Sequence, residues 1–109
     1  MKKVRESEQP YRGGDRGVKY MARGPKLDWG VILIKPGEKM GEHGHKEVEE
    51  TFYVVEGSGK MLVDGKPIPA ETGDAFYVTA PERHDILNDG KSDMKVVFIK
   101  TPYLPNDKT

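Results

Sequence analysis

The sequence predicts an all-β domain, a sandwich or a barrel with little or no helix. Glycine and proline together account for 21 of the 109 residues (13 Gly and 8 Pro). The longest stretch free of both is twelve residues long, and several others run five to eight, which suits strands and is short for helices. Short segments rich in β-branched and aromatic residues, separated by Gly and Pro turns, are typical of all-β folds.

Residues 29–69 contain four predicted strand segments. Residues 29–34 form a continuous apolar run that stops at a Lys-Pro-Gly turn. Residues 51–55 are β-branched and aromatic, and a Gly-rich segment follows them. Residues 60–63 lead into Asp64-Gly65, which is a strong hairpin signal. The chain then returns through residues 67–69, whose two prolines place this segment at an edge of the sheet.

Three more strands are predicted after residue 69. Residues 75–78 precede a loop around Pro81, and residues 85–87 precede an Asn-Asp-Gly turn. Residues 94–99 are the last clear strand. We expect a single domain over residues 1–109, with an N-terminal arm (1–14), a barrel (15–101) and a C-terminal tail (102–109).

Composition and charge exclude several classes of protein. Eighteen basic residues balance eighteen acidic ones, which argues against a nucleic-acid partner because such proteins present a basic surface. No apolar run approaches the length of a membrane span. The N-terminus has no apolar region typical of a secretory signal, so we expect a cytoplasmic protein. Cysteine is absent, so any metal site has to use nitrogen and oxygen ligands.

The placement of the three histidines is the main functional signal. Residues 46–50 have helical propensity, but the preceding Gly and the following β-branched run favour a strand ending near His45 and a new one beginning near Glu50. In a strand, His43 and His45 point to the same face. Two such imidazoles can chelate one cation, although two solvated histidines beside a turn are an alternative. His84 taken alone is more typical of a hydrogen-bonded structural histidine.

Two spaced patterns resemble the conserved motifs of the cupin superfamily. The first reads Gly37-x5-His43-x-His45-x4-Glu50-x6-Gly57. The second reads Gly73-x10-His84-x3-Asn88. Thr79 and Pro81 depart from the second motif, which has Pro and Gly at these positions in the turn before the histidine. The resemblance covers roughly residues 30–100 and uses all three histidines.

The resemblance implies a double-stranded β-helix, or jelly-roll barrel, in which His43, His45, Glu50 and His84 hold one metal at the barrel mouth. It also implies a homodimer. Glu49 is the alternative carboxylate, but its spacing from Gly57 fits the motif less well than that of Glu50. Asn88 is interpreted either as a residue beside the ligands or as a turn residue.

Further residues near the site are candidates for the wall of a pocket. If Glu50 points inward, Phe52 and Val54 do so too and form an apolar wall. Phe76 and Tyr77 lie on opposite faces of their strand, so at most one of them lines a pocket. Glu82 and Arg83 either touch a ligand or are exposed loop charges. No catalytic residue is assigned beyond the metal ligands.

The implied ligand set indicates which metals and functions to expect. Three imidazoles and one carboxylate suit Fe, Mn, Ni, Cu or Zn and do not suit Ca or Mg. Because imidazole binds metal only when neutral, affinity should fall below about pH 6.5. We expect a metal-dependent enzyme acting on a small polar molecule, as a dioxygenase, decarboxylase or isomerase. The alternative is a sensing or storage protein that binds a small molecule without turnover and in which the metal is structural.

Overall fold

The computed structural model describes residues 1–108, which form eight strands and one short 3-10 turn at Glu6–Glu8. The strands in chain order are β1 (Gly17–Arg23), β2 (Asp28–Ile34), β3 (Glu49–Glu56), β4 (Ser58–Val63), β5 (Lys66–Glu71), β6 (Ala75–Val78), β7 (His84–Leu87) and β8 (Met94–Thr101). All seven predicted strand segments coincide with β2 to β8. No helix within residues 1–108 has the length and apolar character needed to cross a bilayer.

The strands form two antiparallel sheets. The larger sheet has the order β1-β2-β8-β3-β6, and the smaller one has the order β5-β4-β7. The prediction that the proline-containing strand β5 lies at an edge is confirmed by the strand order. An edge position suits this strand because proline has no N–H to donate to a second neighbouring strand. The all-β prediction is confirmed, and the two-sheet arrangement is that of a double-stranded β-helix.

The core lies between the two sheets. Phe52 and Phe98 come from the larger sheet, Met61 and Ile86 come from the smaller one, and each is at most 1% exposed. Burial of side chains of this size stabilises a fold by about 1.5–3 kcal/mol each. The apolar core does not extend to one end of the large sheet. At that end, polar residues face the interior.

Strand β1 was not predicted from the sequence. Val18 and Tyr20 pack against the core, but between them Lys19 is only 5% exposed, so the apolar pattern is weak. The pairing of β1 with β2 shifts by one residue between Tyr20 and Ala22. This β-bulge interrupts the alternation that would otherwise mark the strand.

Candidate metal centre

His43 and His45 lie on the connection between β2 and β3. The predicted strand ending near His45 is absent. The connection instead pairs with the rest of the protein only at single residues, through isolated bridges. The His43 N–H donates to the His84 carbonyl (3.0 Å), and the His84 N–H donates to the His43 carbonyl (2.8 Å). This double hydrogen bond joins the connection to β7 and places the two imidazoles next to each other.

The four predicted ligand residues converge on one point. Glu50 Oε1 lies 3.0 Å from His84 Nε2, 3.1 Å from His45 Nε2 and 3.4 Å from His43 Nε2. The Nε2 atoms of His43 and His84 are 3.0 Å apart. One ligand atom from each residue lies within 4.8 Å of all the others, and none of the four side chains is more than 11% exposed.

This arrangement fits a shared cation better than a hydrogen-bond network. A carboxylate oxygen has two lone pairs, yet three ring nitrogens surround Glu50 Oε1. Two ligand atoms that each lie about 2.1 Å from a metal, at right angles, are about 3.0 Å apart. The cluster could therefore hold one divalent transition metal ion.

The loop before the cluster fixes the orientation of His43. Its Nδ1 lies 3.1 Å from the Gly41 carbonyl oxygen, so Nδ1–H donates there and the Nε2 lone pair faces the cluster. The Gly41 N–H in turn donates to Asp85 Oδ1 (2.8 Å). The Nδ1 atoms of His45 and His84 are buried and have no hydrogen-bond partner among residues 1–108.

Glu50 is the carboxylate of the cluster, and Glu49 is not. Successive residues of β3 face opposite sides of the sheet, so Glu50 is 3% exposed while Glu49 accepts a hydrogen bond from the exposed Tyr77 hydroxyl. Burial raises the pKa of the Glu50 carboxyl, but the three imidazoles beside it lower the pKa by more, so that the net pKa lies well below the ordinary value. Glu50 is therefore an ionised carboxylate.

A cavity of about 260 Å³ opens beside the cluster. His43, His45 and Glu50 line it, while His84 completes the cluster from behind with 1% exposure. Drug-sized ligands occupy cavities of about 300–1,000 Å³, so this one suits a small metabolite. A metal held by the cluster would have one side open to it.

The other residues predicted as candidates for the pocket wall do not line the cavity. Phe52 and Val54 are buried on the Glu50 face as expected, within the core. Phe76 packs against that core, and Tyr77 is 63% exposed on the outer face. Arg83 forms an ion pair with Glu42 at the rim of the cavity (2.9 Å).

Asn88 is a turn residue. Its amide nitrogen donates to the carbonyls of Ile34 and Ser92, each at 2.8 Å. Its Oδ1 accepts the Gly90 N–H at 3.0 Å. These bonds hold the β7–β8 turn, so the structure favours this interpretation over a place beside the ligands.

Sequence reasoning missed a second polar group in the cavity, formed by Arg23, Asp28 and Lys100. The alternation of β2 could have indicated Asp28, since it shares a face with the core residues Ile32 and Ile34. Arg23 gave no such signal because it lies beyond the bulge of β1.

The C-terminal segment closes one side of the cavity. Pro102, Leu104, Pro105 and Lys108 line it. Asp107 Oδ2 accepts the backbone N–H groups of residues 46–48 at 2.8–3.0 Å. These hydrogen bonds connect the segment to the loop between His45 and Glu50.

We expect Asp107→Ala to release this segment, because three backbone donors lose their acceptor. Hydrogen exchange of the amides at 46–48 should accelerate at least tenfold, whereas Asn106→Ala, an exposed neighbour, should leave it unchanged. The same bonds lower the pKa of Asp107 below 3.8. The C-terminal segment should therefore stay bound to the loop at 46–48 at pH values above 3.8 and be released as the pH falls through the lowered pKa. Unchanged exchange in Asp107→Ala would contradict this role.

Comparisons with known proteins agree with the fold. Residues 30–100 match the family model described as Cupin domain. The chain is 37% identical over 76 residues to the tetracenomycin polyketide synthase protein TcmJ of Streptomyces glaucescens, covering 70% of this chain and 51% of that protein. It is 30% identical over 68 residues to an oxalate-binding protein of Thermotoga maritima, covering 62% of this chain and 56% of that protein.

The chain thus spans about half the length of these curated relatives. Among solved structures, it superimposes on an uncharacterized conserved protein with a double-stranded beta-helix domain from Klebsiella pneumoniae. The TM-score is 0.86 at 16% identity, covering 100% of this chain and 96% of that one, which shows a shared fold. The two-sheet barrel, the clustered His and Glu residues and the match over residues 30–100 lead to one conclusion: the chain belongs to the cupin family.

Proposed function

We propose that the protein is a metal-dependent enzyme that acts on a small polar molecule bound at the His43, His45, Glu50 and His84 cluster. The observation that carries the proposal is the position of this cluster in the wall of a cavity of about 260 Å³. Its donor set suits Fe, Mn, Ni, Cu or Zn. Catalytic metal sites keep a coordination position open to a ligand, and three of the four residues here line the cavity.

The residues of the chain would act by binding, orientation and exclusion of water. The bound metal would supply Lewis-acid polarisation of a ligand oxygen. Glu50 would contribute the negative charge of the ligand set, and the Gly41 carbonyl would hold the His43 ring in place. The segment from Pro102 to Lys108 would shield the bound molecule from bulk water. Dioxygen insertion, decarboxylation and isomerisation are the reaction types we propose to test.

A second candidate function is binding of a small molecule without turnover. One relative, at 30% identity, is an oxalate-binding protein. A metal centre beside a small cavity serves a binding protein as well as an enzyme, so this candidate uses the same residues.

Reconstitution separates the two candidates. Metal-free protein would be loaded with Fe(II), Mn(II) or Zn(II) and incubated with a panel of catechols, hydroxy acids, keto acids and dicarboxylates. Oxygen uptake, CO2 release and NMR of the products would be followed. An enzyme should turn over one of these classes with a preferred metal. Glu50→Gln should lose that activity and Glu49→Gln should keep it. Tight binding with no product across all metals would favour the second candidate.

We also propose that two copies associate through the outer face of the large sheet. Trp29, Tyr53 and Ile99 expose 37%, 47% and 40% of their surface there, and Trp29 and Ile99 are direct cross-strand partners. A two-fold dimer would cover the same patch on both copies. Sedimentation of the full chain should give twice the monomer mass of 12.2 kDa, and a monomer at micromolar concentration would contradict it.

A further inference from the structure

Four charged residues form one row across the inner face of the large sheet. Arg23 pairs with Asp28, Asp28 with Lys100, and Lys100 with Glu50 in the strand register. Their charges alternate across β1, β2, β8 and β3, and all four line the cavity. The row therefore begins at the rim of the sheet and ends at a residue of the metal cluster.

The β-bulge in β1 brings Arg23 into this row. Tyr20 lies opposite Gly30 on the inner face, and regular alternation from Tyr20 would turn residue 23 outward. The extra residue at the bulge reverses the alternation, so Arg23 lies opposite the inward-facing Asp28. Bulges are often found next to functional sites because they redirect a side chain in this way.

The two cations of the row meet at the ring of Tyr20. The Arg23 guanidinium carbon lies 4.2 Å from the ring centroid, and Lys100 Nζ lies 5.6 Å from it. Tyr20 is itself held by an edge contact with Phe98. Among residues 1–108, neither cation forms an ion pair or a side-chain hydrogen bond, so their N–H donors are available to a ligand.

Asp28 is the unusual member of the row. It is 4% exposed, and its Oδ1 is buried with no hydrogen-bond partner within residues 1–108. A buried carboxylate oxygen without a donor is unfavourable. The group therefore needs a donor that the described part of the chain does not provide.

From this row we infer that the cavity binds a small hydroxycarboxylic acid, with its carboxylate at Arg23 and Lys100 and its hydroxyl donating to Asp28. The inference rests on the proposed function, because the other end of the acid lies at the metal cluster. Four cationic side chains and three carboxylates line the cavity, and a divalent metal would make its net charge more positive. Such a cavity attracts anions.

The strand spacing limits the size of this acid. Adjacent strands are about 4.8 Å apart, so Lys100 lies one strand spacing from Glu50. Asp28 lies two spacings from Glu50, which places their α-carbons about 10 Å apart. A two-carbon acid at the cluster would not reach the Arg23 end of the row. An acid of four or more carbons would span the cluster and the cations together.

Calorimetric titration of the Zn²⁺-loaded full chain tests the inference with malate, succinate, oxalate and butane-1,4-diol. Malate and succinate differ by one hydroxyl, and the diol lacks both carboxylates. We expect malate to bind at least tenfold more tightly than the diol. Arg23→Gln and Lys100→Gln should each weaken malate and succinate at least tenfold, the loss typical of one charge-assisted hydrogen bond. Oxalate affinity should not change in Arg23→Gln.

Asp28→Asn tests the hydroxyl contact. Lys66→Gln is the matched control for the two variants that remove a positive charge, Arg23→Gln and Lys100→Gln. Asp28→Asn should reduce the preference for malate over succinate about tenfold, because a hydroxyl donates a stronger hydrogen bond to a carboxylate than to a neutral amide oxygen. Lys66 is exposed on β5, outside the cavity, and its variant should bind like the wild type. Each variant would first be checked for its zinc content and unfolding temperature.

Two results would overturn the inference. One is malate affinity that is unchanged in both Arg23→Gln and Lys100→Gln, and the other is a diol that binds wild-type protein as tightly as malate. Either could occur in a protein that still holds zinc and turns over another substrate, so the proposed function would stand. Failure of the proposed function would instead appear as a wild-type chain that holds no metal, or that binds small molecules with no turnover under any metal.

Discussion

Purified Glu50→Gln and the double variant His43→Ala/His84→Ala should contain almost no metal, whereas the wild-type chain should bind about one divalent ion. Loss of a residue that merely supports a ligand lowers metal affinity about 10- to 100-fold, so loss of two ligands should exceed 100-fold. The three histidines of the chain all lie in the cluster. An untagged protein thus has no other imidazole to bind metal. Elemental analysis and competition with a chelator would measure both quantities.

Glu49→Gln is the matched control for this experiment. It removes the same charge one residue away, on the face of β3 where Glu49 bonds to Tyr77. Its metal content should equal that of the wild type. Saturation of wild type and Glu49→Gln with metal at 100 times the Kd should add about 2.7 kcal/mol to the free energy of unfolding. Glu50→Gln should gain almost nothing. Equal metal in all of these proteins would remove the ligand assignment.

The cluster was predictable because its signal lies in sequence spacing. His43 and His45 are two residues apart, and Glu50 lies at the start of the next predicted strand, so the predicted local geometry brings them to one place. His84 is distant in sequence, and only the resemblance of the second motif connected it to the others. The structure explains the connection through the paired backbone of His43 and His84.

The charged row was not predictable in the same way. Asp28 and Lys100 are 72 positions apart, and they become neighbours through the register of β2 with β8. Neither strand has a local signal that fixes this register. Arg23 depends in addition on the bulge of β1, and the bulge changes the face of each later residue in the strand. Long-range pairing and a one-residue irregularity thus decide which charges enter the cavity.

Gly30→Ala should be strongly destabilising because the bulge leaves no space at this position. A Cβ on Gly30 would lie 2.0 Å from the Lys19 carbonyl oxygen and 3.0 Å from the Tyr20 Cα. Both are backbone atoms, so a side-chain rotation does not relieve the clash, and β1 has to move away from β2. Overpacking usually costs about 1–3 kcal/mol. We expect the upper part of this range, which would lower the unfolding temperature by roughly 10 °C.

The functional consequence of Gly30→Ala separates it from an ordinary packing defect. If β1 moves, Arg23 leaves the row opposite Asp28, so malate affinity should fall at least as much as in Arg23→Gln. The metal content should remain near one, because β1 contributes no residue to the cluster. Gly90→Ala is the control, since a Cβ there would lie 3.3 Å from the nearest atom, the Ser58 carbonyl oxygen. It should keep both malate affinity and most of the stability. A stable Gly30→Ala variant with wild-type malate affinity would show that the bulge does not position Arg23.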